Sequence, residues 1–595
     1  MQEGIQEWKF PILLLAISLI CASTIQILVP GLKNVAIDDG VRRLEDVPFP
    51  FIRETSEPIR EYRVTAEIDR RSYQFTKLVL LPTLCLTSAN VNGQPLTFKE
   101  PGPSGHCDYA NGYAISLPTG TSAAQGNLLH LEAKVSSSNY IFGLSVRPPP
   151  GNPVVLALKL IGIATLTAGL YLALRRSHFS RPVSLILVGA LPVQVLYLLH
   201  TPVVERTYDV LGHLQHLEYI ADHLSLAPSN FCHECYQPSL YYLAAAPVFS
   251  MARAMRFFDS SVVLQFFSLA WFWVFIVMSA KICLLWLPKK REAELAVALI
   301  AFWPGGFLQS ARVSNEIALY AFFATCLYFV LRWWETGSRR ALFIAAAVAG
   351  CGVVIKATMM VLIGTIGILI LLRILRDRGT GTPWSSYVMP ILPMVAGVAA
   401  YVALSFLRAG ALPATWHDWR SIYVGNNWMF LDPSTYVGNS WRQYLLLDTA
   451  SYFKLPFVNS TRAGTGREYF WNYVLKSSMF GDFDWFHKPV ERVLALIMSP
   501  LLLALVVLFW VGVVRNLRRL NLHSLPLFVA LFLSFLSLFA HRFYLPYSAD
   551  NDFRFIYPAL IPIVLLMVEG TRNIRGASTL CCLFCGLSAA FYLSV

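Results

Sequence analysis

The segment Glu205–Tyr242 lies between two strongly apolar stretches, yet it is dense in acids and histidines and holds a Cys-x-x-Cys. Asp209, Gly212, His213, His216, Glu218 and Tyr219 follow one another closely. A carboxylate beside a membrane costs free energy unless it is solvated, paired or metal-bound, which makes Asp209 a functional candidate. A positioned carboxylate can take the proton of a hydroxyl that attacks an electron-poor carbon. If Asp209–Ala221 is helical, Asp209, His213 and His216 share one face through i, i+4 and i+3 spacing. The same side chains, with Glu218 or Asp222, could bind a divalent metal, since histidine is a common ligand. The structural alternative at Asp209 is an N-cap that opens an interfacial helix. Cys232 and Cys235 form either a loop-stiffening disulfide or two free thiols, and His233 between them does not complete the four ligands a structural zinc wants.

The elements that position these residues are membrane helices. The chain has 595 residues, 56% hydrophobic and only 14% charged, against about 25% charged in a soluble domain. A span needs about 20 mostly apolar residues. Clear candidates are 10–30, 153–174, 182–202, 260–286, 386–407, 491–513 and 524–541. Shorter ones are 293–309, 316–334, 340–355, 357–374, 555–570 and 577–594. The expectation is about 12–14 spans. The net charge of +13 does not point to nucleic acid, because the basic residues cluster in short loops such as Arg175–Arg181, Lys289–Arg291 and Arg515–Arg519, the positive-inside pattern. By that rule either 237–256 or 260–286 is re-entrant or broken.

Five regions follow. Residues 1–30 form a signal-anchor helix. Residues 31–151 alternate like strands, carry an Asn92-Gly93 hairpin signal, and predict an extracytoplasmic β-sandwich of jelly-roll type. Residues 152–408 form a transmembrane core with a first outer loop at 203–236. Residues 409–490, rich in Trp, Tyr and Asn, form an outer loop with short interfacial helices. Residues 491–595 return to the membrane. Cys85 and Cys107 allow a second disulfide in an oxidising compartment. Asn459-Ser-Thr is a glycosylation sequon in a secretory host.

Further candidates are cations at the expected outer face, namely Arg312, Lys356, Lys476, Arg542 and Arg554. Arginine binds phosphate strongly and often bidentately. Lys356 interrupts a long apolar stretch, and Arg554 has Asp550 and Asp552 as neighbouring partners. Asp482 and Asp484 are either turn residues or ligands.

Several blocks carry a family resemblance. Asp209-x-x-Gly212-His213 with Tyr219, followed by Gln237-Pro238-Ser239-Leu240-Tyr241-Tyr242, resembles the C-type (GT-C) superfamily of polytopic membrane glycosyltransferases, which includes aminoarabinose and protein-mannose transferases. Ser239 stands where many relatives have a second proline. Ser310–Glu316 resembles the second outer-loop acidic motif, with Glu316 where Asp is frequent. Gly350–Lys356, Trp471–Gly481 and Phe553–Pro558 resemble later blocks in the same order. The first 200 residues lie outside the resemblance.

The resemblance implies an inverting transferase that moves a sugar from a polyprenyl-phosphate-linked donor to a glycan, lipid or protein acceptor. It places Asp209 as base and Glu316 as its support. Substrate contacts fall to His213, His216, Tyr219, Gln237, Tyr241, Arg312, Asn315, Lys356, Lys476 and Arg554. A divalent metal ion held by Asp209, His213 and Glu316 is an option, and no other cofactor is implied. The lipid bilayer is a partner and nucleic acid is not. The expected location is a bacterial inner membrane with the site facing the periplasm or exterior. Two other classes fit the composition: a lipid-linked sugar transporter or flippase, and a non-catalytic glycan-binding scaffold that relies on 31–151.

Overall fold

The computed structural model describes 2–28, then the strand segments 31–38, 43–44, 51–54, 60–69, 77–82, 85–91, 94–95, 113–116, 128–137 and 141–147, then 153–594 except 202, 204–205, 207–208, 233, 255–259, 378–382, 384, 410–434, 461, 484, 486–488 and 519–521. Asn92-Gly93, Cys107, His233 and Asp484 lie outside the described residues. The chain divides into two compact units. The first is Met1–Ser184, Leu198–Leu214 and Ala245–Phe266, and the second is the remainder.

In the first unit, α1 (Gln2–Leu28) runs beside α2 (Pro153–Arg176). The fit depends on small residues, since Gly162 faces Cys21, and Gly169 faces Leu14 and Leu15. Between the two helices, ten strands pair antiparallel in one ladder of six and one of four. The longest pairing runs from Arg60↔Ser137 to Asp69↔Leu128. Val64 and Ala66 are buried while Arg63 is exposed, the period-two pattern of a strand with one covered face. The strand Gly31–Asp38 slips register between Lys33 and Ala36. Asn34 sits at that slip with φ +49°, a conformation Asn tolerates and bulges use. Its Nδ2 donates to Glu67 Oε2 at 2.6 Å.

The remaining helices are α3 (Arg181–His200), α4 (Val210–His223), α5 (Leu240–Ala254), α6 (Ser260–Trp286), α7 (Lys290–Ala301), α8 (Pro304–Ser310), α9 (Asn315–Thr336), α10 (Arg339–Val353), α11 (Met360–Arg376), α12 (Ser385–Ala409), α13 (Trp441–Leu445), α14 (Thr449–Lys454), α15 (Phe470–Phe480), α16 (Pro489–Arg518), α17 (Leu525–Tyr544), α18 (Leu560–Thr571) and α19 (Ala577–Ser594).

Ten helices among the described residues are long and apolar enough to cross a membrane, or eleven if α7 and α8 together make one span bent by 52°. The described residues thus give ten or eleven spans against the expected 12–14. Helices α5 and α10 have 15 residues each, about 22 Å at 1.5 Å per residue, against a hydrocarbon core of about 30 Å. The α7–α8 break falls at Phe302-Trp303, just before Pro304 at the first turn of α8.

The centre of the second unit is α18, whose span window is 89% buried. It crosses α16 at Gly512 and Gly570, where a Cβ on either residue would collide with the backbone of the other helix. Helix α9 is the next most enclosed span.

A candidate anion-binding site at the head of α9

Helix α9 starts where Ser314, in extended conformation, accepts a hydrogen bond from the Glu316 amide through its side chain. That is an ordinary serine cap. A glutamate in the first turn also suits the positive end of the helix dipole. Glu316 does more than this. One carboxylate oxygen, Oε1, lies 2.8 Å from Lys356 Nζ. The other, Oε2, lies 3.5 Å from Arg312 Nη1. The charge of Arg554 acts on the same carboxylate. Arg312, Glu316 and Arg554 are each at most 5% exposed.

Each cation is held from its own element. Arg312 follows α8, one turn before Glu316, and its Nη1 donates to Gln309 Oε1 at 2.8 Å. Lys356 sits in the extended turn after α10, whose amide closes back on Gly352 O at 3.0 Å. Arg554 lies in a 3-10 turn, Phe553–Ala559, that Asp552 caps by accepting from the Arg554 amide at 2.9 Å. The Asp552 carboxylate lies 3.8 Å from Arg554 Nε, and the guanidinium sits 4.8 Å from the Phe555 ring centroid. Tyr320, one turn into α9, donates to Arg554 O at 2.7 Å and so ties that turn to the helix. Three cations thus meet two carboxylates, Glu316 and Asp552, and charged donors in a low-dielectric surrounding are the kind that bind an anion.

The structure brings Asn315 and Gln237 to the same place. Asn315 Nδ2 donates to Ile355 O at 3.2 Å and reaches Gln237 Oε1 at 3.4 Å. Leu240 N donates to Val354 O at 3.2 Å, which fixes the start of α5 against the turn that carries Lys356. Tyr241 is fully buried beside the Tyr242 and Phe267 rings.

Other expected site residues are placed differently. His216 is fully buried and stacks on Tyr242 at 3.9 Å. Burial, with the positive charge of Arg408 adding to it, holds its pKa down near 3, so the imidazole is neutral at physiological pH. Tyr219 stacks on His223 and packs against the Cys232–Cys235 bridge. Lys476 donates from Nζ to the carbonyls of Thr465 and Ser451, at 2.6 and 3.2 Å. Burial lowers its pKa to about 8. Arg542 donates to Gly438 O at 2.8 Å. Both of these cations hold loop carbonyls.

Asp209 and His213 belong to the first unit. Asp209 is partly exposed, has φ +54°, and its carbonyl accepts from the His213 amide at 3.1 Å. It therefore stands at the entry of α4 in a left-handed conformation that a non-glycine residue adopts at some cost. Among the described residues, no three His, Cys, Asp or Glu side chains are grouped so as to hold a metal ion. Cys232 and Cys235 form a disulfide.

Two more buried side chains bear on this region, one of them already a candidate turn residue or ligand in the sequence. Asp482 lies in the turn after α15, where its Oδ1 accepts from the Ser460 amide. Burial, with the charge of Asp552 added, raises its pKa to about 7. Arg408, at the end of α12, is the second, and it alone escaped the sequence reading, since it has no local sequence signal.

The apolar helices define a multi-pass membrane protein, and Glu316 and Asp552 sit among buried cations inside it. Residues 257–401 match the family model of the dolichyl-phosphate-mannose-protein mannosyltransferases. That match upholds the resemblance to C-type membrane glycosyltransferases and points to sugar transfer from a polyprenyl-phosphate carrier. Arg312, Asn315, Glu316 and Lys356 lie inside the matched segment, and Asp209 and Arg554 lie outside it. No curated protein matches the chain.

Proposed function

We propose that the protein is an inverting glycosyltransferase of the membrane that moves a sugar from a polyprenyl-phosphate donor to a glycan, lipid or protein acceptor on the extracytoplasmic side. The observation that carries this reading is the buried carboxylate of Glu316 between Lys356 and Arg312, with Arg554 acting on it, inside a segment that matches a family of lipid-linked sugar users.

In this reading Lys356, Arg554 and Arg312 hold the phosphate of the donor. The guanidinium groups present paired N–H donors and the ammonium a point charge. Glu316 orients Lys356 and Arg312 and keeps them from repelling each other while the donor is absent. Asn315 and Gln237 brace the turn at 354–356. Asp209 takes the acceptor proton as the glycosidic bond to phosphate breaks and the bond to the acceptor oxygen forms. Phosphate is then the leaving group, and its new charge falls on cations already in place. Strands 31–147 fold as a β-sandwich that presents the acceptor. The membrane is a bacterial inner membrane with the site outward.

The test uses purified protein in nanodiscs with a synthetic polyprenyl-phosphate sugar and a hydroxyl acceptor. Transfer should fall by at least about 100-fold in Asp209→Asn, within the range expected for loss of a general base. It should fall comparably in Lys356→Met. Full activity in Asp209→Asn removes that residue as base. Full activity in Lys356→Met removes the cluster as the phosphate site.

A further inference from the structure

Arg408 carries an observation that the transfer chemistry does not use. It stands in the last turn of α12 and is partly buried. A guanidinium has five N–H donors, and here each nitrogen is engaged. Nε donates to Ala227 O at 3.1 Å, and Nη2 to the same carbonyl at 3.0 Å. Nη2 also donates to Cys235 O. Nη1 donates to Gln237 O and to Ser239 Oγ, both at 2.9 Å. All the acceptors are neutral. The Arg408 carbonyl in turn lies 3.4 Å from Ser229 Oγ.

An arginine whose donors all go to one loop fixes the shape of that loop. The loop is the one closed by the Cys232–Cys235 disulfide, with Ala227 and both cysteines buried together. Its far end is the segment that meets the cation cluster. Gln237 Oε1 lies 3.4 Å from Asn315 Nδ2, Asn315 adjoins Glu316, and Leu240 N closes on Val354 O beside the Lys356 turn. Displacing the Gln237 backbone therefore loosens both supports of the Lys356 turn.

We propose that Arg408 is a positioning residue for the Glu316–Lys356 site, and that the Cys232–Cys235 bridge is the second anchor of the same loop. Arg408 acts through the loop and does not touch the anion. Loss of its fork leaves the cations present but misplaced, so turnover falls more than donor binding. A lysine keeps the charge with three donors in place of five and cannot bridge four acceptors in a plane. Arg408→Lys is therefore intermediate and Arg408→Gln severe.

This inference rests on the transferase reading for its kinetic arm only. In the first arm, hydrogen–deuterium exchange is measured on the full chain in nanodiscs for Arg408→Lys, Arg408→Gln and the double variant Cys232→Ser/Cys235→Ser. Peptides covering 227–240 and 350–357 should both exchange at least about 10-fold faster, while those of α18 stay unchanged. Unchanged exchange at 350–357 in all three overturns the linkage. In the second arm, steady-state transfer from a polyprenyl-phosphate sugar should show kcat down about 10-fold in Arg408→Gln with KM within threefold, and a smaller loss in Arg408→Lys. A change confined to KM, or Lys as poor as Gln, overturns the positioning role. If wild-type protein transfers no sugar, the transferase reading fails while the exchange arm still decides this one. If Arg408→Gln does not fold, the lysine and cysteine variants carry the test.

Discussion

The Glu316–Lys356 pair makes a quantitative prediction. With Nζ and Oε1 2.8 Å apart, the Coulomb attraction at an effective dielectric of 20 is roughly 6 kcal/mol. Desolvating the two ions opposes most of this, at several kcal/mol each. The net worth of the intact pair is thus small, but removal of one partner strands the other. Glu316→Gln leaves Lys356 and Arg312 facing a neutral amide, and the cost expected for an orphaned buried charge is about 3–5 kcal/mol. Lys356→Met leaves the carboxylate beside Arg312 and under the field of Arg554. Its cost falls at the lower end, about 3 kcal/mol. The double variant strands neither member, so its cost should be smaller than the sum by at least about 2 kcal/mol. The assay is reversible unfolding by SDS titration in mixed micelles, followed by circular dichroism. Single costs that add to within about 0.5 kcal/mol would mean the two side chains are independent. That result refutes the geometry of the cluster, whatever the activity data say.

Further predictions concern the surrounding loops. Asp482 has its carboxyl raised from 3.8 to about 7 by burial. Its contribution is therefore fully present below pH 3.8 and is lost as pH rises through 7, a gap of at most about 4 kcal/mol. Asp482→Asn, which keeps the acceptor for Ser460 N, should flatten the fall in melting temperature between pH 5 and 8; an unchanged pH profile shows that the carboxyl is ionised throughout. Lys476→Met strips the Thr465 carbonyl of its Nζ donor and leaves the Ser451 carbonyl with the Leu455 amide, and should cost about 1–3 kcal/mol. Faster hydrogen exchange in 446–467 is the readout, and wild-type protection there denies the clamp. Gly305→Ala puts a methyl into the Ser478 carbonyl and should destabilise by about 1–3 kcal/mol through overpacking. A variant that melts with the wild type shows that α8 and α15 are not in such close contact.

Much of the helical order is legible in the sequence because hydrophobic burial in a bilayer leaves long apolar runs. The spans at α2, α3, α6, α12, α16 and α17 follow from those runs alone. The count does not, because a run says nothing of where a helix bends. Pro304 marks one such break. The site divides in the same way. Lys356 is legible because an ion in an apolar stretch demands a partner, Glu316 only through the resemblance of Ser310–Glu316 to a family motif, and the structure pairs the two. Arg554 is legible through its acid neighbours, and Asp552 is the one that caps its turn. Lys476 and Arg542 look similar in sequence, but the structure gives them to loop carbonyls. A cation cannot announce whether its partner is a ligand or a backbone oxygen. Arg408 is the harder case. Its acceptors lie some 170 residues away in the chain, and as the last-turn basic residue of an apolar helix it reads as an ordinary interface anchor.

The cluster also explains why its residues come from segments so far apart. Three cations on one short loop would repel one another in the unfolded chain and in the fold alike. Here each sits on a separate rigid support: the break after α8, the turn after α10, and the Asp552-capped turn before α18. Only the packed helices bring them within reach of Glu316. Tyr320 is the joint, because it stands on α9 one turn beyond Glu316 and donates to the carbonyl of Arg554. A carboxylate at the centre makes that convergence tolerable. On the proposed transferase reading, an anionic headgroup would find donors that are already desolvated and aimed, and the reorganisation that binding would otherwise demand would be met by folding. A site built in this way is intolerant of small shifts, and on the proposal above that is how an arginine bound only to the 227–239 loop governs it.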